Sequence, residues 1–149
     1  MSRKTFKTHV HIHAPASKVW EVLFSKDVFK IWASEFSKGS EVETDWKQGS
    51  KVVFKDASNS GLVGEIIENI PNESMVIEFN AELVDGKEVK DSESAKNFIG
   101  AREGYFIAEH GGMTHLDVVS EIPESMFDEM SNSWEKALEK IIALAETMF

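Results

Sequence analysis

The sequence predicts an α+β domain in which a curved antiparallel sheet of about seven strands wraps around a long C-terminal helix, with two short helices after strand one. Three observations predict it. A first alternating segment runs straight into helical spacing at Pro15, further alternating segments fill the chain between Ser40 and Ile122, and a one-sided apolar helix follows from Met126. A chain of 149 residues fits a single domain over residues 1–149 with one core.

The elements follow in order. Residues 4–13 put Phe6, Thr8, Val10 and Ile12 on one face and Lys7, His9, His11 and His13 on the other, the pattern of a half-buried strand. Pro15 suits a first helical turn, and Val19, Trp20, Leu23 and Phe24 recur at helical spacing up to Ser25. A second helical piece from about Lys26 offers Val28, Phe29, Ile31 and Trp32. From Ser40 the period returns to two through Val42, Thr44 and Trp46. Lys47-Gln48-Gly49-Ser50 then reads as a hairpin turn into Val52 and Phe54. Residues 56–61 are a turn signal. A strand from Leu62 to Ile70 ends at Pro71, and Met75, Ile77, Phe79 and Ala81 alternate on the next one.

Residues 85–96 are polar and carry no strand pattern; a turn or two of helix can start there with Asp91 as N-cap. An excursion of that length makes residues 85–100 a candidate lid. Two more strands, about Arg102–His110 and Thr114–Ile122, are joined by Gly111-Gly112. On the last helix Phe127, Met130, Trp134, Ala137, Leu138, Ile141, Ile142, Ala145 and Met148 share half of the wheel. Six consecutive strands with short turns make an antiparallel meander, since parallel neighbours need long crossovers. The helix then closes the concave face.

Composition excludes several functions. The net charge is −10 and the only arginines are Arg3 and Arg102, so the clustered cations that nucleic acid rewards are missing. Without cysteine there is no disulfide and no thiolate. No stretch approaches the roughly 20 apolar residues of a membrane span, and the first residues lack a signal-peptide run. The expectation is a cytoplasmic protein with no membrane insertion. No phosphate loop, His-Glu-x-x-His motif or Gly-x-Ser-x-Gly elbow is present.

Five pieces carry a family likeness: the strand and helix start Ile12-His-Ala-Pro15 through Trp20; Phe29-Lys-Ile-Trp32; the turn Trp46-Lys-Gln-Gly49-Ser50; Gly64 through Phe79 with Pro71; and Gly112-Met-Thr114 with Trp134-Glu-Lys-Ala-Leu138. In this order they resemble the helix-grip fold of the START and birch-pollen-allergen (SRPBCC) superfamily. Within it, the chain is similar to the group named after the activator of the heat-shock-protein ATPase. The sequence departs from that pattern at Ser50, where a second glycine is usual, and at Ile77 and Phe79, where an aromatic pair ending in tryptophan is usual.

The resemblance implies a small hydrophobic molecule, fatty or polycyclic, held between sheet and helix. The chain then acts as a carrier or sensor, as a monomer or weak dimer, without a cofactor. The alternatives are an enzyme acting on an apolar substrate in the same cavity and a chaperone-associated stress-response module; no segment supplies what chaperone activation needs beyond this domain. Trp46, Phe54, Ile66, Met75, Ile77 and Phe79 are the expected sheet lining, and Met126, Met130 and Trp134 face them from the helix. Trp32, Phe98 and Tyr105 complete the candidate ligand site. Such pockets span about 300–1,000 Å³. Glu68 shares the expected face of Gly64 and Ile66, where desolvation would raise its pKa. No catalytic residue is assigned. His9, His11 and His13 stand two apart on a solvated face without an identifiable fourth ligand, so no metal is expected.

Overall fold

The computed structural model describes residues 2–147. Strand β1 (Arg3–Ile12) leads into helices α1 (Ala16–Phe24) and α2 (Lys26–Ala33). The strands β2 (Glu41–Glu43), β3 (Lys51–Lys55), β4 (Gly61–Ile70), β5 (Ser74–Val84) and β6 (Lys87–Val89) precede a short helix α3 (Glu93–Phe98). Strands β7 (Arg102–His110) and β8 (Met113–Pro123), a 3-10 turn at Glu124–Met126 and helix α4 (Phe127–Thr147) complete the described chain. The sheet runs β1-β8-β7-β5-β4-β3-β2, all antiparallel, with β6 on β5. This is the helix-grip architecture: a curved sheet of seven to eight strands holding a long helix.

The first strand closes the sheet beside the last. Arg3 to Ile12 pair with Pro123 to Thr114 over ten residues, which sets β1 at one edge and three-residue β2 at the other. Helix α4 lays Trp134, Ala137, Leu138, Ile141 and Ala145 into the concave face, the i, i+3, i+4, i+7, i+11 spacing of one helical stripe. Asp128 and Glu129 in its first turn complement the helix dipole. Met148, also expected on the stripe, lies outside the described residues.

Local chemistry moved several boundaries. The run Val42, Thr44, Trp46 ends as strand at Glu43, because Trp46 takes a left-handed φ of 63°. There its N–H donates to Thr44 Oγ1 at 3.1 Å, and that of Lys47 donates to Asp45 Oδ1 at 2.9 Å. Two side-chain-capped turns thus replace alternation. The N-cap of α3 is Ser92, which accepts from the Ala95 N–H at 3.0 Å, and not Asp91. Helix α4 starts at Phe127 because residues 124–126 tighten into a 3-10 turn.

The polar excursion gains a strand that alternation did not reveal. β6 continues the edge of β5 that β7 leaves free: β7 pairs Ser74–Glu78 and β6 pairs Glu82–Val84. Glu88 and Lys90 lie beside Val63, Glu65 and Asn80, on the outer face of the sheet, and Lys51 ion-pairs with Glu88. Beneath them Val63, Ala81 and Leu83 form a small second core with Val53.

One buried polar contact ties the end of the first strand to the start of the last. Thr114 is fully buried, and its Oγ1 donates to the Ala14 carbonyl at 2.7 Å, at the corner between β1 and α1. The Thr114→Val substitution keeps shape and removes the hydroxyl, so it is expected to cost about 1–3 kcal/mol. Urea unfolding with an unchanged m-value checks this.

Candidate functional site

Register brings one row of side chains across the concave face: Phe6, Ser120, Glu103, Ile77 and Ile66 on β1, β8, β7, β5 and β4. The neighbouring row is Thr8, Val118, Tyr105, Met75 and Asn69. Above them Trp134 of α4 is 1% exposed and surrounded by rings. It stacks on Phe6 and Trp32, each at 6.1 Å, meets Phe36 edge-on at 4.9 Å and lies 6.0 Å from Tyr105. Such offset and edge contacts contribute beyond simple burial. The indole Nε1 is buried without a hydrogen-bond partner among the described residues.

Beside Trp134 a cavity of about 190 Å³ remains. Phe29, Trp32, Ala33 and Phe36 wall it on one side, Phe54, Leu62, Phe79, Glu103 and Tyr105 on the sheet side, and Met130 and Trp134 above. The space is smaller than the expected pocket range, because the aromatic cluster fills the middle of the grip. Ser37, Ser40, Glu41, Lys55, Asp56 and Ser60 complete the lining. Ser37 Oγ donates to Asp56 Oδ2 at 3.1 Å, and the Ala57 N–H donates to the Lys38 carbonyl at 3.2 Å. Lys55 reaches Glu43 at 2.8 Å and Glu41 at 3.6 Å. These bonds pin the segment after α2 to the β3–β4 turn.

Glu103 is the polar group that sequence reasoning missed. Tyr105 Oη donates to Glu103 Oε2 at 2.8 Å, and Ser120 Oγ donates to Oε1 at 3.2 Å. Part of the residue stays exposed, and its carboxyl borders the cavity. Protein encloses that carboxyl enough that desolvation raises its pKa against the lowering effect of both hydrogen bonds. Burial, then the Glu103 carboxylate, pushes the Tyr105 phenol well above its usual range. Strand alternation was the available signal: Tyr105 was already a candidate, and Glu103 two residues earlier must share its face.

The structure places the other candidates as follows. Trp32, Phe54, Phe79, Tyr105, Met130 and Trp134 line the cavity. Ile66, Met75, Ile77 and Phe98 are buried in the main core without lining the cavity, and Trp46 packs against that core, on Phe24 at 5.0 Å. Met126 sits in the 3-10 turn, 36% exposed. Glu68 does not face inward: a bulge between Ile66 and Glu68 pairs it with Val76 on the outer face, where it accepts from Ser74 Oγ at 2.7 Å. No residue of the 85–100 excursion lines the cavity.

A second cluster lies on the outer face of β1 and β8. His9 and His11 are joined by His115, the cross-strand partner of His11. Burial and the imidazoles of His11, His9 and His110 lower the His115 pKa. His13 stands apart; its N–H donates to Glu146 Oε2 at 2.9 Å.

Among solved structures, the chain is similar to protein MLL2253 from Mesorhizobium loti (TM-score 0.74, 14% identity, 95% of this chain and 96% of that one). It is also similar to the Aha1 dimer from Colwellia psychrerythraea (TM-score 0.73, 12% identity, 97% of each chain). A third is CalU16 from Micromonospora echinospora (TM-score 0.66, 18% identity, 98% of this chain and 78% of that one). At these identities the likeness is one of fold. No curated protein matches the sequence. No helix among the described residues is long and apolar enough to cross a membrane. The model of the Activator of Hsp90 ATPase homolog 1-like protein family matches residues 13–146. With nearly the whole chain matched and the helix-grip architecture in place, the protein belongs to that family.

Proposed function

We propose that the protein binds a small, neutral, single-ring molecule that carries a hydrogen-bonding group, as a carrier or sensor. The observation that carries this reading is an aromatic-walled cavity of about 190 Å³ with the Glu103 carboxyl set in its sheet wall, and with Glu41, Lys55 and Asp56 completing its polar lining. An apolar cavity of about 150 Å³ is enough for benzene in an engineered lysozyme, so a single ring fits this space. A polycyclic or fatty guest needs Trp134 or Met130 to move. Glu103 accepts one hydrogen bond on each oxygen, and a carboxylate offers about four acceptor sites. A hydroxyl or amine on the guest therefore finds an acceptor, whereas a second carboxylate meets like charge in a poorly solvated place.

The test is a series of one-ring probes followed by calorimetry and tryptophan fluorescence. Phenol is expected to bind the native protein at one saturable site, more tightly than toluene, with benzoate weakest. Ala33→Leu places extra methyl groups in the cavity wall and is expected to abolish binding at an overpacking cost of about 1–3 kcal/mol, with the native circular dichroism kept. Absence of saturable phenol binding, or binding unchanged by Ala33→Leu, overturns the proposal.

A second reading rests on the Glu103–Tyr105 pair. Two titratable groups meeting at a cavity wall are what proton transfer to an enclosed substrate requires. Turnover of a bound guest that disappears in Glu103→Gln, with binding kept, would separate an enzyme from a carrier.

The raised pKa also makes Glu103 a source of pH-dependent stability. In the unfolded chain the carboxyl titrates near the ordinary glutamate value of 4.5. Between that pH and its higher native value the native state holds the proton more tightly, so stability falls as pH rises through the window. Glu103→Gln removes this slope. Its melting temperature relative to the wild type is expected to climb from pH 4.5 upward and then level off, as thermal melts across pH 4–8 will show.

A further inference from the structure

We propose that His9, His11 and His115 form a zinc-class metal site that staples edge strand β1 to β8. The two strands supply the ligands because of their register: His11 lies opposite His115 and His9 opposite Asp117, all four on the outer face. The candidate ligand nitrogens of the three histidines lie within 4.8 Å of one another. The Nε2 atoms of His9 and His11 are 3.0 Å apart. Two nitrogens bound at about 2.0–2.1 Å to one tetrahedral ion stand roughly 3.3 Å apart. Small rotations of exposed side chains bring the third nitrogen in, as the ring centroids of His11 and His115 are already 4.3 Å apart.

A carboxylate behind one imidazole is the second observation. Asp117 Oδ1 contacts His9 Nδ1. It holds the proton on Nδ1, which leaves the Nε2 lone pair for the metal and makes the ring a better donor. Three neutral imidazoles with an open fourth position are the donor set of zinc, and of copper still more strongly. His110, whose ring lies 5.5 Å from that of His115, or a water molecule can take the fourth position. This site lies on the opposite face of the sheet from the aromatic cavity, so it stands or falls independently of the ligand proposal.

The test uses tag-free, chelator-stripped full-length protein with zinc or cobalt as the probe. Calorimetry is expected to show one zinc bound per chain at micromolar affinity or tighter, with a raised melting temperature. Cobalt is expected to give the intense visible bands of a tetrahedral site. His115→Ala is expected to lose zinc at least tenfold. Asp117→Asn, which touches no metal, is expected to weaken it by about tenfold, and His13→Ala to leave it unchanged. Because these side chains lie on the outer face, wild-type circular dichroism separates lost ligation from lost folding. Zinc affinity in His115→Ala within twofold of wild type, or several weak sites without tetrahedral cobalt bands, overturns the site.

Discussion

The contact between Trp134 and the rings around it decides how tightly the sheet holds its helix. One indole from α4 reaches Phe6 on the first strand, Trp32 and Phe36 near the short helices, and Tyr105 in the middle of the sheet. Elements far apart in sequence therefore meet at a single side chain. The same contact sets the volume beside it, because every ring that improves the packing of Trp134 takes space from a guest. Removing a buried tryptophan costs about 3–5 kcal/mol, a large share of the roughly 5–15 kcal/mol that a domain has. Grip and cavity are thus coupled, and this chain sits toward the grip.

Glu103 works in the opposite direction. An inward carboxyl between Ser120 and Ile77 takes a place that an apolar residue would fill with greater stability. Tyr105 and Ser120 offset part of that penalty through their hydrogen bonds, but desolvation still prevails. Local conflict of this kind, at the wall of a cavity, is the usual mark of a functional position.

The fold was legible wherever burial imposes a period. Trp134, Ala137, Leu138 and Ile141 repeat at helical spacing, and Met75, Ile77 and Phe79 at strand spacing, because each set must face one core. What stayed hidden depends on pairing and on single backbone angles. Alternation alone turned Glu68 inward, since nothing in the sequence signals the bulge after Ile66 that moves it outward. Trp46 left the strand because Thr44 and Asp45 capped turns around it. His115 stands more than a hundred residues from His11, and only the β1–β8 register makes them neighbours. Glu103 was different: alternation did place it beside Tyr105, but charged residues are read by default as outward.

The two edges of the sheet are not equally defended against a second chain. The β2 edge is three residues long and carries Glu41 and Glu43, so it offers little ladder for strand addition. The β1 edge runs ten residues, and among the described residues no strand lies beyond it. Its protection is chemical: Arg3, Lys4 and Lys7 line a strand whose copies would have to bring like cations together. Salt screens such surface charges, so β1 is the edge whose defence depends on ionic strength, while that of β2 depends on its shortness.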